Sequence, residues 1–509
     1  MVAKILLLVV FFAVMIGIGV YSRKHATNVD GFVLGSRSAG PWISAFAYGT
    51  SYFSAVVFVG YAGQFGWKYG IASTWIGVGN ALIGSLMAWF VLGRRTRVMT
   101  QHIDAKTMPD FFGKRYNSVA LKIAASIITF IFLIPYTASV YNGLSRLFGM
   151  AFDIEYSTCL IVMAVLTGLY VILGGYMATA LNDFIQGIFM LFGICAIIYS
   201  VLDGQGGFYT ALENLSKQVP AATESLPVSG DGIFGSFFGP DPLNLLGVVI
   251  LTSLGTWGLP QMVGKFYAIK SEKSVKTGMI VSTFFAFVVA GGCYFLGGFG
   301  RLFSDKVDIA ANGFDSVIPT MLETLPDILI GVVIVLVLSA SMSTLSSLVL
   351  TSSSTLTLDF LKVTFMKKMD EKKQVLIMRF FVVVFVAISV IIALNKDSIP
   401  EIAQLMGYSW GALAGAFLAP FMYGLYMKNV TKLAVWVNFA FSIVLTVTNM
   451  KMGYIQSPIN AGAICMVISL VLVPVVSLIT PKPKKDEVEE IFQCFEEKVE
   501  VPRRNALED

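Results

Sequence analysis

Charge and metal-binding chemistry are what this sequence has least of. Asp, Glu, Lys and Arg make up 13% of the 509 residues, about half the ~25% usual in soluble globular chains. There are two histidines, His25 and His102, both in basic loops, which argues against a histidine-based metal or acid–base centre. The five cysteines include Cys159, Cys195, Cys293 and Cys465 in apolar runs and Cys494 apart from them. Their odd number and the absence of CxxC argue against a disulfide framework and a zinc site. No GxxxxGK[ST] occurs, and no polar stretch is long enough for a nucleotide-hydrolysing domain, which argues against an ATP-driven pump. Neither HExxH nor a mid-span acidic pair is present, which leaves a membrane-embedded enzyme without catalytic residues.

What is present is apolar. Hydrophobic residues make up 56% and mean hydropathy is +0.77. Long apolar runs predict an all-α polytopic membrane protein of about thirteen transmembrane helices. The spans are 5–21, 41–66, 71–93, 118–149, 157–176, 181–201, 243–266, 275–300, 324–358, 376–395, 400–426, 431–451 and 459–480. Residues 1–23 form an extra N-terminal transmembrane helix. No cleavage pattern follows it; Arg23 and Lys24 do, so it is expected to be retained.

Loop charges set the expected orientation. Alternate loops hold Arg23, Lys24 and Arg37; Arg94, Arg95 and Arg97; Lys265, Lys270, Lys273 and Lys276; and Lys367, Lys368, Lys372 and Lys373. The intervening loop 202–242 has Lys217 alone against Asp203, Glu213, Glu224, Asp231 and Asp241. The positive-inside rule then puts the N-terminus outside, loop 202–242 outside, and the tail 481–509 in the cytoplasm as a solvated segment of mixed charge. No Arg or Lys is expected in mid-membrane.

Against this background residues 339–357 stand out. A membrane helix satisfies its own backbone, so a dozen Ser and Thr side chains need another reason. Ala340, Ser343, Thr344 and Ser347 fall at i, i+3, i+4 and i+7, on one helix face. Neutral oxygens there suit a hard monovalent cation, a Na⁺ site. Close packing of small residues between membrane helices is the other open reading.

Two helices are expected to be broken. One break falls at Tyr48-Gly49-Thr50-Ser51-Tyr52-Phe53-Ser54. The other falls within Thr252–Gln261, where Gly255, Gly258 and Pro260 interrupt an apolar span. Non-helical backbone at that depth needs protein or a cavity around it. With the N-terminal helix set aside, these are the first and sixth core helices. Corresponding interruptions in two halves point to a transport site. The chain then divides into a first inverted repeat, 41–201, and a second, 243–426, followed by two C-terminal transmembrane helices, 427–480.

These stretches together resemble the sodium:solute symporter family. The matching residues are Phe32-Val33-Leu34-Gly35-Ser36-Arg37-Ser38, Ser51-Tyr52-Phe53-Ser54-Ala55, Gly174-Gly175-Tyr176, Leu181-Asn182-Asp183-Phe184-Ile185-Gln186, Gly258-Leu259-Pro260-Gln261 and Ala340-Ser341-Met342-Ser343-Thr344-Leu345-Ser346. The resemblance covers residues 5–480. It implies a leucine-transporter-like fold with a 5+5 inverted repeat. It also implies Na⁺-coupled symport of a small organic solute by alternating access in the cell membrane, with no nucleotide or nucleic acid partner. Proline, pantothenate and monocarboxylates are the solutes implied first, with sugars and sialic acid as alternatives; an uncoupled channel or facilitator is the rival of another class.

The resemblance also implies site residues. Na⁺ ligands would be Ser343 and Thr344 side chains with carbonyls of Ala340, Thr50 and Phe53. Asp183 aligns with a carboxylate associated with Na⁺ passage, although its position after Asn182 equally allows a helix-start cap. Expected substrate-lining residues are Tyr52, Ser54, Thr252, Thr256, Trp257, Pro260, Gln261, Tyr136, Tyr408 and Trp410. Proline-type members carry an aspartate where Tyr52 stands here, and aromatics where Thr252 and Thr256 stand.

Overall fold

The computed structural model describes residues 2–152, 155–220, 226–228, 230–323, 325–395 and 402–496. Its principal helices are α1 (Val2–Ser22), α2 (Pro41–Tyr52), α3 (Ala62–Tyr69), α4 (74–102), α5 (Val119–Phe152), α6 (Tyr156–Gly204), α7 (Pro242–Gly258), α8 (Pro260–Tyr267), α9 (Glu272–Gly297), α10 (Asp327–Thr355), α11 (Glu371–Leu394), α12 (Ile402–Tyr426), α13 (Lys432–Met452) and α14 (Pro458–Ile479).

Local chemistry explains several of the helix starts. Proline opens α2, α7 and α14, where a missing N–H costs nothing. Asp241, Thr431 and Ser457 cap α7, α13 and α14 by accepting from the amides of Asn244, Ala434 and Asn460. Long helices α10 and α12 are buried along most of their length, whereas α1, α11, α13 and α14 turn apolar side chains outward. That is the arrangement lipid requires, since the outer face needs no water-compatible groups. Around α10 pack α1, α2, α5, α6 and α11.

Ten described helical stretches are long and apolar enough to cross a membrane, or eleven if the bent pair α7–α8 counts as one. Two of the ten run to 45 and 47 residues, more than the ~20 a span needs. One of them, within α6, turns at Gly175, whose φ of 55° and ψ of −143° lie in a region open to glycine and not to other residues. The other passes through a tight turn at Gly70–Ser73 between α3 and α4. The expected count of about thirteen rests on dividing both.

Both expected breaks are present, with one change of cause. In the first, Phe53 is extended (φ −103°, ψ 133°) after α2 ends at Tyr52. In the second, Leu259 alone is extended (φ −82°, ψ 122°), and the axes of α7 and α8 meet at 47°. Pro260 explains this, because proline drives the preceding residue out of the helical region. Gly255 and Gly258, expected to help break the helix, stay inside α7. Gly258 serves close approach instead: a Cβ there would stand 2.8 Å from both Ala414 Cα and Leu418 N of α12.

Two expectations about charge are corrected. Lys265, counted in a cytoplasmic loop, lies on α8 with 3% exposure. A buried lysine therefore sits inside the bundle where none was expected. The tail, expected to be solvated, forms a helix at Lys485–Phe492 that docks on the protein. Phe492 and Val488 are buried, and the Arg115 guanidinium lies 5.0 Å from the Phe492 ring. The remainder of the tail, 497–509, lies outside the described residues, as do 221–225 and 229 of loop 202–242.

Candidate cation and substrate site

The first break faces the hydroxyl helix. Where α2 stops, carbonyls near residues 50–53 lose their regular helical partners. Side chains of α10 meet them. Ser343 Oγ donates to the Thr50 carbonyl at 3.0 Å and shares the Ala340 carbonyl at 3.0 Å. Thr344 Oγ1 lies 2.8 Å from the Phe53 carbonyl, 3.1 Å from that of Ala340 and 3.3 Å from that of Ser51. The amide of Ala55, just beyond the break, donates to Ser341 Oγ at 3.1 Å. All five residues expected as Na⁺ ligands are therefore brought together in one fully buried cluster. The Ser51 carbonyl is a sixth oxygen that the sequence reading did not include. The cluster is rich in oxygen and holds no charged group, which suits a hard monovalent cation.

One turn along α10, Ser347 Oγ lies 2.9 Å from Ser51 Oγ of the break. It also accepts from Lys265 Nζ at 2.9 Å. Lys265 in turn pairs with Asp183 at 3.3 Å. Asp183 is fully buried about two turns past the bend at Gly175, beyond the first turn of that part of α6, so a helix-start cap does not describe it.

The expected substrate residues divide into three groups. Tyr52, Thr252, Trp410, Tyr136 and Ser54 come together. The Tyr52 hydroxyl donates to the Thr252 carbonyl at 2.6 Å. Trp410 lies between Tyr52 and Tyr136, with ring centroids 6.2 and 5.9 Å away. The Tyr136 hydroxyl adjoins Ser54. Thr252 Oγ1 also reaches Asn80 Oδ1 at 2.9 Å, which brings in a residue of α4 that the sequence reading missed. A polar residue inside an apolar span was the available signal.

Thr256 and Trp257 instead fasten α7 to α4, donating to the carbonyls of Gly84 and Ile83 at 3.0 Å each. Pro260 and Gln261 lie beyond the second break. With Lys265, Tyr176 and Ser347 they line a cavity of about 50 Å³, room for more than one water. Both polar atoms of the Gln261 side chain are buried without a partner among the described residues. Tyr408 is half-buried two residues before Trp410, a spacing that turns it away from the cluster.

Openings approach this layer from both ends. A cleft of about 420 Å³ lined by Asp241, Asn244, Gln404 and Ser457 reaches Val248, one turn before Thr252. From the other end the smaller cavity reaches Gln261 and Lys265. Between them Tyr52, Trp410 and Tyr136 are each at most 4% exposed. The arrangement is a closed aromatic layer, with a partly polar cleft on one side and a small, mainly apolar cavity that holds Gln261 and Lys265 on the other.

Comparison with known proteins is consistent along most of the chain. The profile of the sodium:solute symporter family matches residues 32–438. The chain is 28% identical over 487 residues to the osmoregulated proline transporter OpuE of Bacillus subtilis (strain 168), covering 94% of each. It is 29% identical over 494 residues to a sodium/proline symporter of Staphylococcus aureus (strain JH9), covering 94% of this chain and 93% of that one. Its fold is similar to that of a Na⁺-coupled sialic acid symporter solved in a substrate-bound outward-open state, with TM-score 0.74, 15% identity, and 95% and 99% of the two chains covered. A nucleobase-cation-symport-1 family transporter in a closed conformation follows at TM-score 0.55, 13% identity, and 92% and 98% coverage.

Proposed function

This chain belongs to the sodium:solute symporter family, and we propose that it imports a small zwitterionic solute of the proline kind. It is a multi-pass membrane protein and a Na⁺-coupled symporter. The solute reading is supported by the two proline transporters that match it over nearly its full length.

In this reading Na⁺ binds Ser343, Thr344 and the carbonyls of Ala340, Thr50 and Phe53, and so ties the first break to α10. The observation that carries it is the convergence of those hydroxyls and carbonyls at 2.8–3.1 Å in a buried site without charge. Ordering the break also orders Tyr52, one residue before Phe53. The solute then sits among Tyr52, Ser54, Thr252, Tyr136 and Trp410, aromatic walls with a few hydroxyls, as small-molecule sites commonly are. Its carboxylate is held by amides freed at the breaks, whose helix ends favour negative charge. Rearrangement of the aromatic layer exposes the site to one cleft and then the other. Asp183 and Lys265 lie on the side by which Na⁺ leaves. The protein sits in the cell membrane with its N-terminus outside and its C-terminus in the cytoplasm, and residues 41–201 and 243–426 act as two inverted repeats.

The driving force is sufficient. A tenfold Na⁺ gradient supplies ~1.4 kcal/mol, and one charge crossing ~100 mV adds ~2.3 kcal/mol. At one Na⁺ per neutral solute these support about 500-fold accumulation. The test is uptake of labelled proline by proteoliposomes with an inward Na⁺ gradient. Accumulation above equilibrium, lost when choline replaces Na⁺, is expected. Flux that never exceeds equilibrium, or that ignores Na⁺, would overturn coupled transport. Coupled Na⁺ uptake without proline would overturn the solute alone.

A further inference from the structure

We propose that Lys265 is a tethered cation: its ammonium fills, permanently, a second cation position between Asp183 and Ser347. The inference rests on the Na⁺ reading of the neighbouring site and deepens it.

The ammonium is held as a small cation would be. It lies 3.3 Å from Asp183 Oδ2 and 2.9 Å from Ser347 Oγ, and the side chains of Lys265 and Asp183 are 3% and 0% exposed. Ammonium is a compact point charge that donates and cannot accept, so the groups that hold it are oxygen acceptors of the kind that hold Na⁺. Those oxygens continue the first site. Ser347 follows Ser343 by one turn of α10, about 6 Å along the axis. Ser347 also bonds Ser51, whose own carbonyl faces Thr344. The hydroxyl face of α10 thus presents two adjacent oxygen clusters. One has no charge, and the other has a carboxylate already paired with a lysine.

A lysine and an aspartate buried in a membrane bundle are costly unless paired and are retained for function by default. The lysine comes from α8, directly after the second break, so its ammonium also joins the two broken helices through Ser347 and Ser51. With Lys265 present, Asp183 needs no mobile ion, and the chain takes up a single Na⁺. Without its charge, Asp183 Oδ2, Ser347 Oγ and Ser51 Oγ remain as ligands beside the cavity that Gln261 and Tyr176 line. Na⁺ is then expected to enter there.

The test is equilibrium binding of radiolabelled Na⁺ to the detergent-purified full chain. Lys265→Met is expected to bind about one Na⁺ more per chain than the wild type, since it uncovers one carboxylate. Adding Asp183→Asn is expected to abolish the gain. A Lys265→Met protein that retains the wild-type Na⁺ and gains none would overturn the proposal, and so would a gain that survives Asp183→Asn. If Lys265→Met aggregates in choline chloride, recovery in NaCl reads the same gain, and no recovery counts against it. The difference between variant and wild type tests the tethered cation. The wild-type count by itself tests the Ser343–Thr344 site, so the two readings fail separately.

Discussion

Ser343 and Thr344 each contribute one oxygen, and the rest of their cluster is backbone. Replacing either by alanine removes that oxygen while leaving α10 intact, since alanine is the best helix former. A lost polar contact of ~1–3 kcal/mol corresponds to a rise of about 5- to 150-fold in the Na⁺ concentration needed for half-maximal transport. That rise is expected for Ser343→Ala and for Thr344→Ala. It is not expected for Ser353→Ala, because among the described residues the Ser353 hydroxyl bonds the Leu350 carbonyl of its own helix and nothing on α2. Equal Na⁺ dependence in all three would reduce the hydroxyl face to packing. At this scale the sequence was informative for hydroxyls, because a repeat of i, i+3, i+4 and i+7 is a property of one helix. Lys265 was not legible. Near the end of an apolar run it has the composition of an interfacial residue, and only Asp183, 82 positions away in sequence, reveals it as buried.

Broken helices owe their geometry to different causes. The second break follows from Pro260 alone, a local rule. The glycines beside it answer to α12, a neighbour no local rule identifies. Gly258→Val would push a side chain into the backbone of Ala414 and Leu418, an overpacking cost of ~1–3 kcal/mol. A lower melting temperature in detergent is expected. Gly264→Ala, where a Cβ meets nothing within 4 Å, is expected to leave it unchanged. The same melting temperature for both variants would mean that α7 and α12 separate easily.

At the scale of the molecule, one end of the bundle is closed by charge. Lys122 of α5 lies 2.7 Å from Asp110 and 3.2 Å from Asp359, and Thr107 donates to Asp359 at 2.5 Å. These contacts join the segment around 103–118 to α5 and to the helical turn Leu356–Leu361 that continues α10, beside the cavity of Gln261 and Lys265. Burial pushes the Asp110 carboxyl up, and Lys122 and Lys114 beside it more than offset this, so it titrates below its ordinary value. A carboxylate held low is stabilising above its unfolded value and loses that contribution as pH falls, so this pairing persists until below about pH 3.9. Lys122→Met leaves two carboxylates facing each other. Faster amide exchange at 103–118, with α10 near Ser343 unchanged, is the expected result. Unaltered exchange there would show that the closure does not depend on the lysine.

The sequence by itself determined the membrane class, the two breaks and the hydroxyl face, because each follows from hydropathy, proline sterics or helical periodicity within one segment. It also carried enough family pattern to bring Thr50, Phe53 and Ala340 to Ser343 and Thr344. Tertiary structure alone decided the rest. Tyr52, Thr252, Trp410 and Tyr136 form a layer, whereas Thr256 and Trp257 brace α4 and Tyr408 turns away. Lys265 came to lie buried beside Asp183 and Ser347, and part of the tail became a docked helix. Each of these depends on which distant segment lies opposite, and burial of a charge or a ring is decided by its partner rather than by its neighbours in the chain.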